Sequence, residues 1–187
     1  MKKYIIAIII IAGIAILFGQ PKLSSFEPGE IVYLSENGHQ TPFIVGKEVN
    51  GNVMLIRQEI LSMPRRINRS GSYYKDSEID KYLNEEYIKT LSAEPAVTRI
   101  DIASGPSDVE MIDRKVFLPA IFEIDGIAYL NGEPQSWWLR TAYDSRQTYM
   151  VGADGQLNSD ISSNLNGIRP AFCLSGDIKV VGGEIKF

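Results

Sequence analysis

The sequence predicts an α+β domain: a mixed twisted sheet with one or two helices and long loops, preceded by an apolar N-terminal helix. Three observations predict it. Met1-Lys2-Lys3 leads into sixteen uncharged residues, Tyr4 to Gly19. One stretch, Ser77 to Leu91, repeats its apolar residues at helical spacing. On either side of that stretch, and throughout from Gln135 onward, apolar runs are short and cut by turn residues, as strands are.

Tyr4 to Gly19 has the basic flank and Ile-rich run of an export signal or membrane anchor. As a helix it would span roughly 24 Å at about 1.5 Å per residue, slightly short of the ~30 Å hydrocarbon core. No Ala-x-Ala site closes the run, and Leu17 is bulky where a signal peptidase requires a small side chain. The expected location is therefore extracytoplasmic, with an uncleaved helix anchoring the chain to the membrane through residues 4–19. Secretion after cleavage near Gly19 is the alternative. The only cysteine, Cys173, lies too far from the N-terminus to carry a lipid. Residues 1–20 are thus signal peptide or anchor, 21–28 a Pro- and Ser-containing linker, and 29–187 one globular domain of a size that buries a real core.

Within the body, Gly29 to Leu34 reads as a strand. Pro42 to Val49 and Asn52 to Gln58 read as a hairpin, because Asn50-Gly51 supplies the positive φ angles of a type I′ turn. Ile60 to Lys75 is a polar loop. Ser77-Glu78-Ile79-Asp80 resembles a capping box, and Ile79, Tyr82, Leu83, Tyr87 and Leu91 form the core stripe of a helix that breaks near Asn84. Ala96 to Ala103 reads as a short strand, 104–107 as a loop, and Lys115 to Leu118 as a buried strand stopped by Pro119. The remainder reads as strands at Ser136–Thr141, Gln147–Gly152, Gly167–Leu174, Ile178–Val181 and Glu184–Phe187, with a turn at Asp154-Gly155.

Charge and reactive residues exclude several functions. Setting aside Lys2 and Lys3 leaves 17 basic against 23 acidic residues, a net charge of −6 that repels nucleic-acid phosphates. Cys173 lies in an apolar run and reads as a buried, inert thiol, and the single His39 reads as a solvated loop residue. No Cys/His pair, metal spacing, phosphate loop or serine elbow is present, so no metal, cofactor or enzymatic activity is expected. The carboxylate pairs Glu85-Glu86, Glu78 with Asp80, and Asp108 with Glu110 read as solvated charge. Arg65, Arg66 and Arg69 read as a solvated basic patch, an anion site being the alternative.

Two blocks stand out. Trp137-Trp138-Leu139-Arg140-Thr141 and Gly167-Ile168-Arg169-Pro170-Ala171-Phe172 each place an arginine inside an apolar run, where a cation survives only if carboxylates or carbonyls pair it. Alternation puts Trp138 and Arg140 on one face of their strand. Trp138, Arg140, Arg169 and Pro170 are read as a structural core signature, the arginines bridging sheet and loops.

The order of these blocks, after the Asn50-Gly51 hairpin, Tyr82-Leu83-Asn84 and Lys115-Val116-Phe117-Leu118-Pro119, resembles the bacterial domain of unknown function 6273. That family is similar to the formylglycine-generating-enzyme and C-type-lectin-like folds, which implies a twisted mixed sheet supporting irregular loops. The enzyme branch works through cysteines and metal sites, so its reaction is not carried over to a chain with one cysteine. Glu133-Pro134-Gln135 is similar to a C-type-lectin calcium motif, but the companion Trp-Asn-Asp motif is missing, and three adjacent residues cannot supply six to eight oxygen ligands. The resemblance implies a non-catalytic, extracytoplasmic, membrane-tethered binding or display domain. Loops on a rigid sheet carry recognition, which points to Tyr143, Asp144, Arg146, Asn158 and Asp160, beside Asn164 and Asn166, as the contacts for an unknown protein or saccharide. The alternatives are a structural or assembly module of a cell-surface or prophage-derived structure and, less favoured, an enzyme with an unrecognised site.

Overall fold

The computed structural model describes residues 19–105, 108–124 and 135–187. The Asn50-Gly51 turn organises its centre. Both residues have positive φ, 52° and 77°, so the turn's twist matches that of the strands it joins, β2 (His39–Val49) and β3 (Asn52–Arg57). β1 (Ile31–Glu36) pairs antiparallel with β2 on one side, and β10 (Ala171–Ser175) pairs antiparallel with β3 on the other. With β6 (Val116–Phe117), β11 (Lys179–Val181) and β12 (Glu184–Lys186), the sheet runs β11-β12-β1-β2-β3-β10-β6. It is mixed, because β12 lies parallel to β1.

The middle strands are covered on both faces, which explains the unbroken apolar runs Val53-Met54-Leu55-Ile56 and Ala171-Phe172-Cys173-Leu174, all buried. Phe43 and Phe172 meet edge to face at 5.3 Å. Pro21 to Pro28, expected as a linker, lies against the body: Leu23 is fully buried, and Val180 N–H donates to the Pro21 carbonyl at 2.8 Å.

Two smaller sheets complete the architecture. β4 (Thr98–Gly105) and β5 (Asp108–Arg114) form a hairpin, and β7 (Trp137–Ala142), β8 (Gln147–Val151) and β9 (Leu157–Ile161) form an antiparallel meander. Neither β5 nor β9 is anticipated by sequence pattern. On β5 the apolar Val109 and Met111 stay largely exposed while Ile112 is buried, and on β9 every side chain is at least partly exposed. On β5 the exposed apolar pair and the buried Ile112 fall on opposite faces, and on β9 neither face is buried, so in neither strand does apolar alternation mark a core face.

The α+β expectation with a long helix therefore fails: among the described residues the fold is mostly β, with one α-helix, α1 (Glu78–Glu85), of eight residues. Ser77 caps it, its Oγ accepting from Asp80 N–H at 3.2 Å. Asn84 then turns outward and treats β6 as a strand partner, its Nδ2 donating to the Val116 carbonyl at 2.8 Å and its Oδ1 accepting from Val116 N–H at 3.2 Å. The chain continues as a 3-10 turn, Tyr87–Thr90, that sets the Tyr87 hydroxyl on Glu36 at 2.9 Å. The break expected near Asn84 thus falls at Glu86, where the α-helix gives way to a 3-10 turn. Ser77→Ala is expected to destabilise the protein by about 1 kcal/mol, read as a lower urea midpoint with unchanged slope.

No helix among the described residues is long and apolar enough to cross a membrane. The expected membrane-anchored, extracytoplasmic location thus gains no spanning helix from the structure and is withdrawn. Its apolar run lies, except for Gly19, outside the described residues, as do Pro106-Ser107 of the expected loop and Glu133-Pro134 of the calcium-like motif.

Candidate functional site

The two signature arginines lie in the core. Arg140 is 1% exposed and makes five hydrogen bonds, which matches the five N–H donors of a guanidinium. Nε donates to the Asp101 carbonyl at 2.8 Å and Nη1 to the Leu118 carbonyl at 2.9 Å and to Glu123 Oε2. Nη2 donates to Asp101 Oδ1 at 2.8 Å and Glu123 Oε1 at 2.7 Å. Burial by itself would push this guanidinium's pKa down; the hydrogen bonds and charge of Glu123, then those of Asp101, outweigh it and hold the group above its ordinary value. Arg140 thus has no donor left for a ligand. Arg169 is equally buried, its Cζ 4.9 Å from the centre of the Trp137 ring. Trp138 is fully buried and donates from Nε1 to the Arg65 carbonyl at 2.8 Å, while the buried Pro170 offers its carbonyl to Arg57 N–H at 2.9 Å. Gly167 hydrogen-bonds both Ser136 and Trp138 through its backbone, and an added Cβ would fall 2.9 Å from the Ser136 oxygen, so this position admits no side chain.

The two segments that carry the expected recognition residues lie beside a loop the sequence treated separately. Residues 60–75 run beside them: Arg65 and Asn166 exchange backbone hydrogen bonds, Asn68 N–H donates to the Ser162 carbonyl, and Ser72 donates to the carbonyls of Ser145 and Asp144. Asp144 closes its own turn, its Oδ1 accepting from Arg146 N–H at 2.7 Å and Gln147 N–H at 2.8 Å. Asn158 and Asp160, expected on a loop, lie on β9. Asp160 braces the turn after that strand, its two oxygens accepting from Asn164 at 2.7 Å and Asn166 at 2.9 Å. Asp144 and Asp160 thus fasten the turns before and after β8 and β9. Tyr143 and Arg146 stand exposed on the first turn, Tyr143 edge-on to Tyr149 at 5.2 Å, whereas the exposed Asn158, paired with Met150, lies on the other face of the ladder.

Residue types that carry chemistry elsewhere are otherwise engaged. Cys173 is 1% exposed, and burial pushes its thiol pKa up, away from the reactive thiolate. His39 is exposed. Asp154 accepts from Gln156 N–H in its turn. Asp80, expected to be solvated, is buried and holds Arg114 through Nε and Nη2 at 2.8–3.0 Å, the reverse of a free surface carboxylate. Arg66 and Arg69 both approach Glu78, at 3.9 and 3.2 Å. Among the described residues no group of three acidic, His or Cys side chains could hold a metal ion.

A cleft of about 490 Å³ opens between the end of β3, the 60–75 loop and the 3-10 turn. Its floor is fixed: Glu36 accepts from Arg57 Nε at 3.0 Å and from the Tyr87 hydroxyl, whose pKa burial and then the Glu36 charge push upward. Arg65 forms one wall, its Cζ 3.5 Å over the Tyr82 ring and its Nε buried without an acceptor. Glu59 and Glu86 line the rim, exposed. The sequence places Tyr82 and Tyr87 in the core and Glu86 among solvated charges, and it singles out none of Glu36, Arg57 and Glu59. Only the contacts of the fold assemble them, so no spacing in the chain could have revealed the cleft.

A protein-family model described as Domain of unknown function (DUF6273) matches residues 50–176, more than half of the 187-residue chain. No curated protein and no solved structure matches it.

Proposed function

We propose, from the premise that the chain belongs to the DUF6273 family, that it is a non-catalytic binding domain whose protein or saccharide ligand is met by the loop face carrying Tyr143 and Arg146. One observation carries this reading: the turn that bears those side chains is fastened by Asp144, so its backbone is held in place before any ligand arrives. Preorganisation of this kind lowers the ordering cost of binding. An exposed aromatic ring and an exposed guanidinium on one turn suit a sugar or a protein surface. The non-catalytic part is supported by the buried ionisable groups, Asp80 and Arg140, being engaged with partners of opposite charge. Kinship with the formylglycine-generating-enzyme and C-type-lectin-like superfamily rests on the order of the sequence blocks alone, and this reading does not depend on it.

The full-length protein, probed on a glycan array and against a displayed peptide library, is expected to retain a ligand whose affinity falls about tenfold or more in Tyr143→Ala or Arg146→Ala. Retention of nothing, or of a ligand indifferent to both substitutions, overturns the reading.

An assembly role is favoured by one feature. Among the described residues β9 pairs only with β8, leaving an edge flanked by the exposed Leu157 and Ile161. If that edge joins copies, sedimentation equilibrium will find oligomers that Ile161→Lys dissociates.

A further inference from the structure

We propose that the cleft between Arg57, Arg65, Tyr82 and Glu86 is a binding site for a small amphoteric ligand, a free amino acid or short peptide presenting a carboxylate and a protonated amine together. This site is distinct from the loop face and does not rest on the reading given for it.

The charges lining the cleft select such a ligand. Arg57 and Glu36 neutralise each other at 3.0 Å, and the Tyr87 hydroxyl on Glu36 fixes that pair in place. Arg65 has no ion pair among the described residues; the Tyr82 ring face is its one electrostatic partner. Its buried Nε has no acceptor, whereas its terminal nitrogens are not among the buried unpartnered atoms, so solvent reaches them, and the residue lines the cleft. A planar guanidinium held flat against a ring presents its edge, the geometry that receives a carboxylate.

Glu59 and Glu86 are likewise without ion pairs among the described residues and carry the opposite charge. A simple anion drawn to Arg65 is therefore repelled by two carboxylates, and a simple cation drawn to them is repelled by Arg65. A ligand bearing both charges escapes the conflict. Among the other lining residues, Ile60, Leu61 and the exposed Met63 give an apolar wall for a side chain, beside the polar Asn37, Ser62 and Thr90. The volume of about 490 Å³ falls in the range of small-molecule sites and accommodates a dipeptide.

The test is calorimetric titration of the full-length protein with free amino acids and Gly-X dipeptides, each beside its N-acetylated and C-amidated form. At least one unmodified compound is expected to bind saturably. Blocking either terminus should weaken that compound about tenfold or more, as should Arg65→Met and the Glu59→Gln/Glu86→Gln pair. Arg65→Lys, which keeps the charge without the fork, should recover only part of the affinity. Circular dichroism and a thermal melt establish that each variant is folded; if Arg65→Met is not, the glutamate pair and the blocked ligands decide the question without it. Binding by no compound in the panel overturns the proposal. So does binding that ignores the blocked termini, or that survives both sets of substitutions. Tyr143→Ala should leave this binding unchanged, so the cleft and the loop face stand or fall separately.

Discussion

Arg140→Ala is expected to cost about 3–5 kcal/mol of folding stability, the penalty for removing one member of a buried charge cluster. The magnitude reflects the groups left behind. Glu123 and Asp101 would lose the guanidinium that satisfies them, and the carbonyls of Asp101 and Leu118 would lose their donors, all around a side chain 1% exposed. A chain of this size should melt roughly 6–20 °C lower. Urea denaturation of Arg140→Ala beside a triple variant, Arg140→Met with Glu123→Gln and Asp101→Asn, separates the two components. Uncharging all three groups should recover part of the loss, because the unpaired carboxylates are the costly residue of the single change. A single variant as stable as the parent would mean that Arg140 does not join β7 to β4 and the 121–123 turn as the geometry indicates.

Asp80→Ala should have the next largest effect, at the lower end of the same ~3–5 kcal/mol range. Its carboxylate accepts from Arg114 Nε and Nη2, from Asp76 N–H at 2.8 Å and from Asn84 Nδ2 at 3.1 Å. Arg114 retains 20% side-chain exposure, so water can take over part of what Asp80 supplies. Asp80→Asn, which keeps an acceptor oxygen but not the charge, should lose less than Asp80→Ala. Chemical denaturation of the pair gives both values, and equal stability of all three proteins would contradict the burial assigned to Asp80.

These two residues also mark how much of the molecule could be read from the chain. Arg140 sits in an apolar run, and an apolar run containing a cation announces its need for acidic partners. Which partners could not be read, because Glu123 is 17 positions away and Asp101 is 39. Asp80 announces nothing, since beside Glu78 at the start of a helix it has the pattern of ordinary surface charge. Only the approach of Arg114, 34 positions later, makes it a core residue. The Asn50-Gly51 hairpin was legible because its signal is local, two residues with positive φ. β5 and β9 were not, because in neither strand does apolar alternation mark a core face. The 77–91 stretch was legible, but the place of its break was not, because one stripe of apolar residues serves both a helix and the 3-10 turn after it. The candidate loop face was partly legible as turn-rich sequence. The cleft beside Arg65 was not, since its walls come from three separate stretches of chain, 36–37, 57–65 and 82–90.

The clasp of Pro21 to Ser25 on the final strands carries a mechanical consequence. Leu23 N–H to the Ile178 carbonyl and Val180 N–H to the Pro21 carbonyl, each 2.8 Å, rivet the beginning of the described chain to β11, itself the outermost member of the seven-stranded sheet. A force pulling on Gly19 is therefore borne first by two rivets and a rim strand, and the hairpin at the centre feels it last.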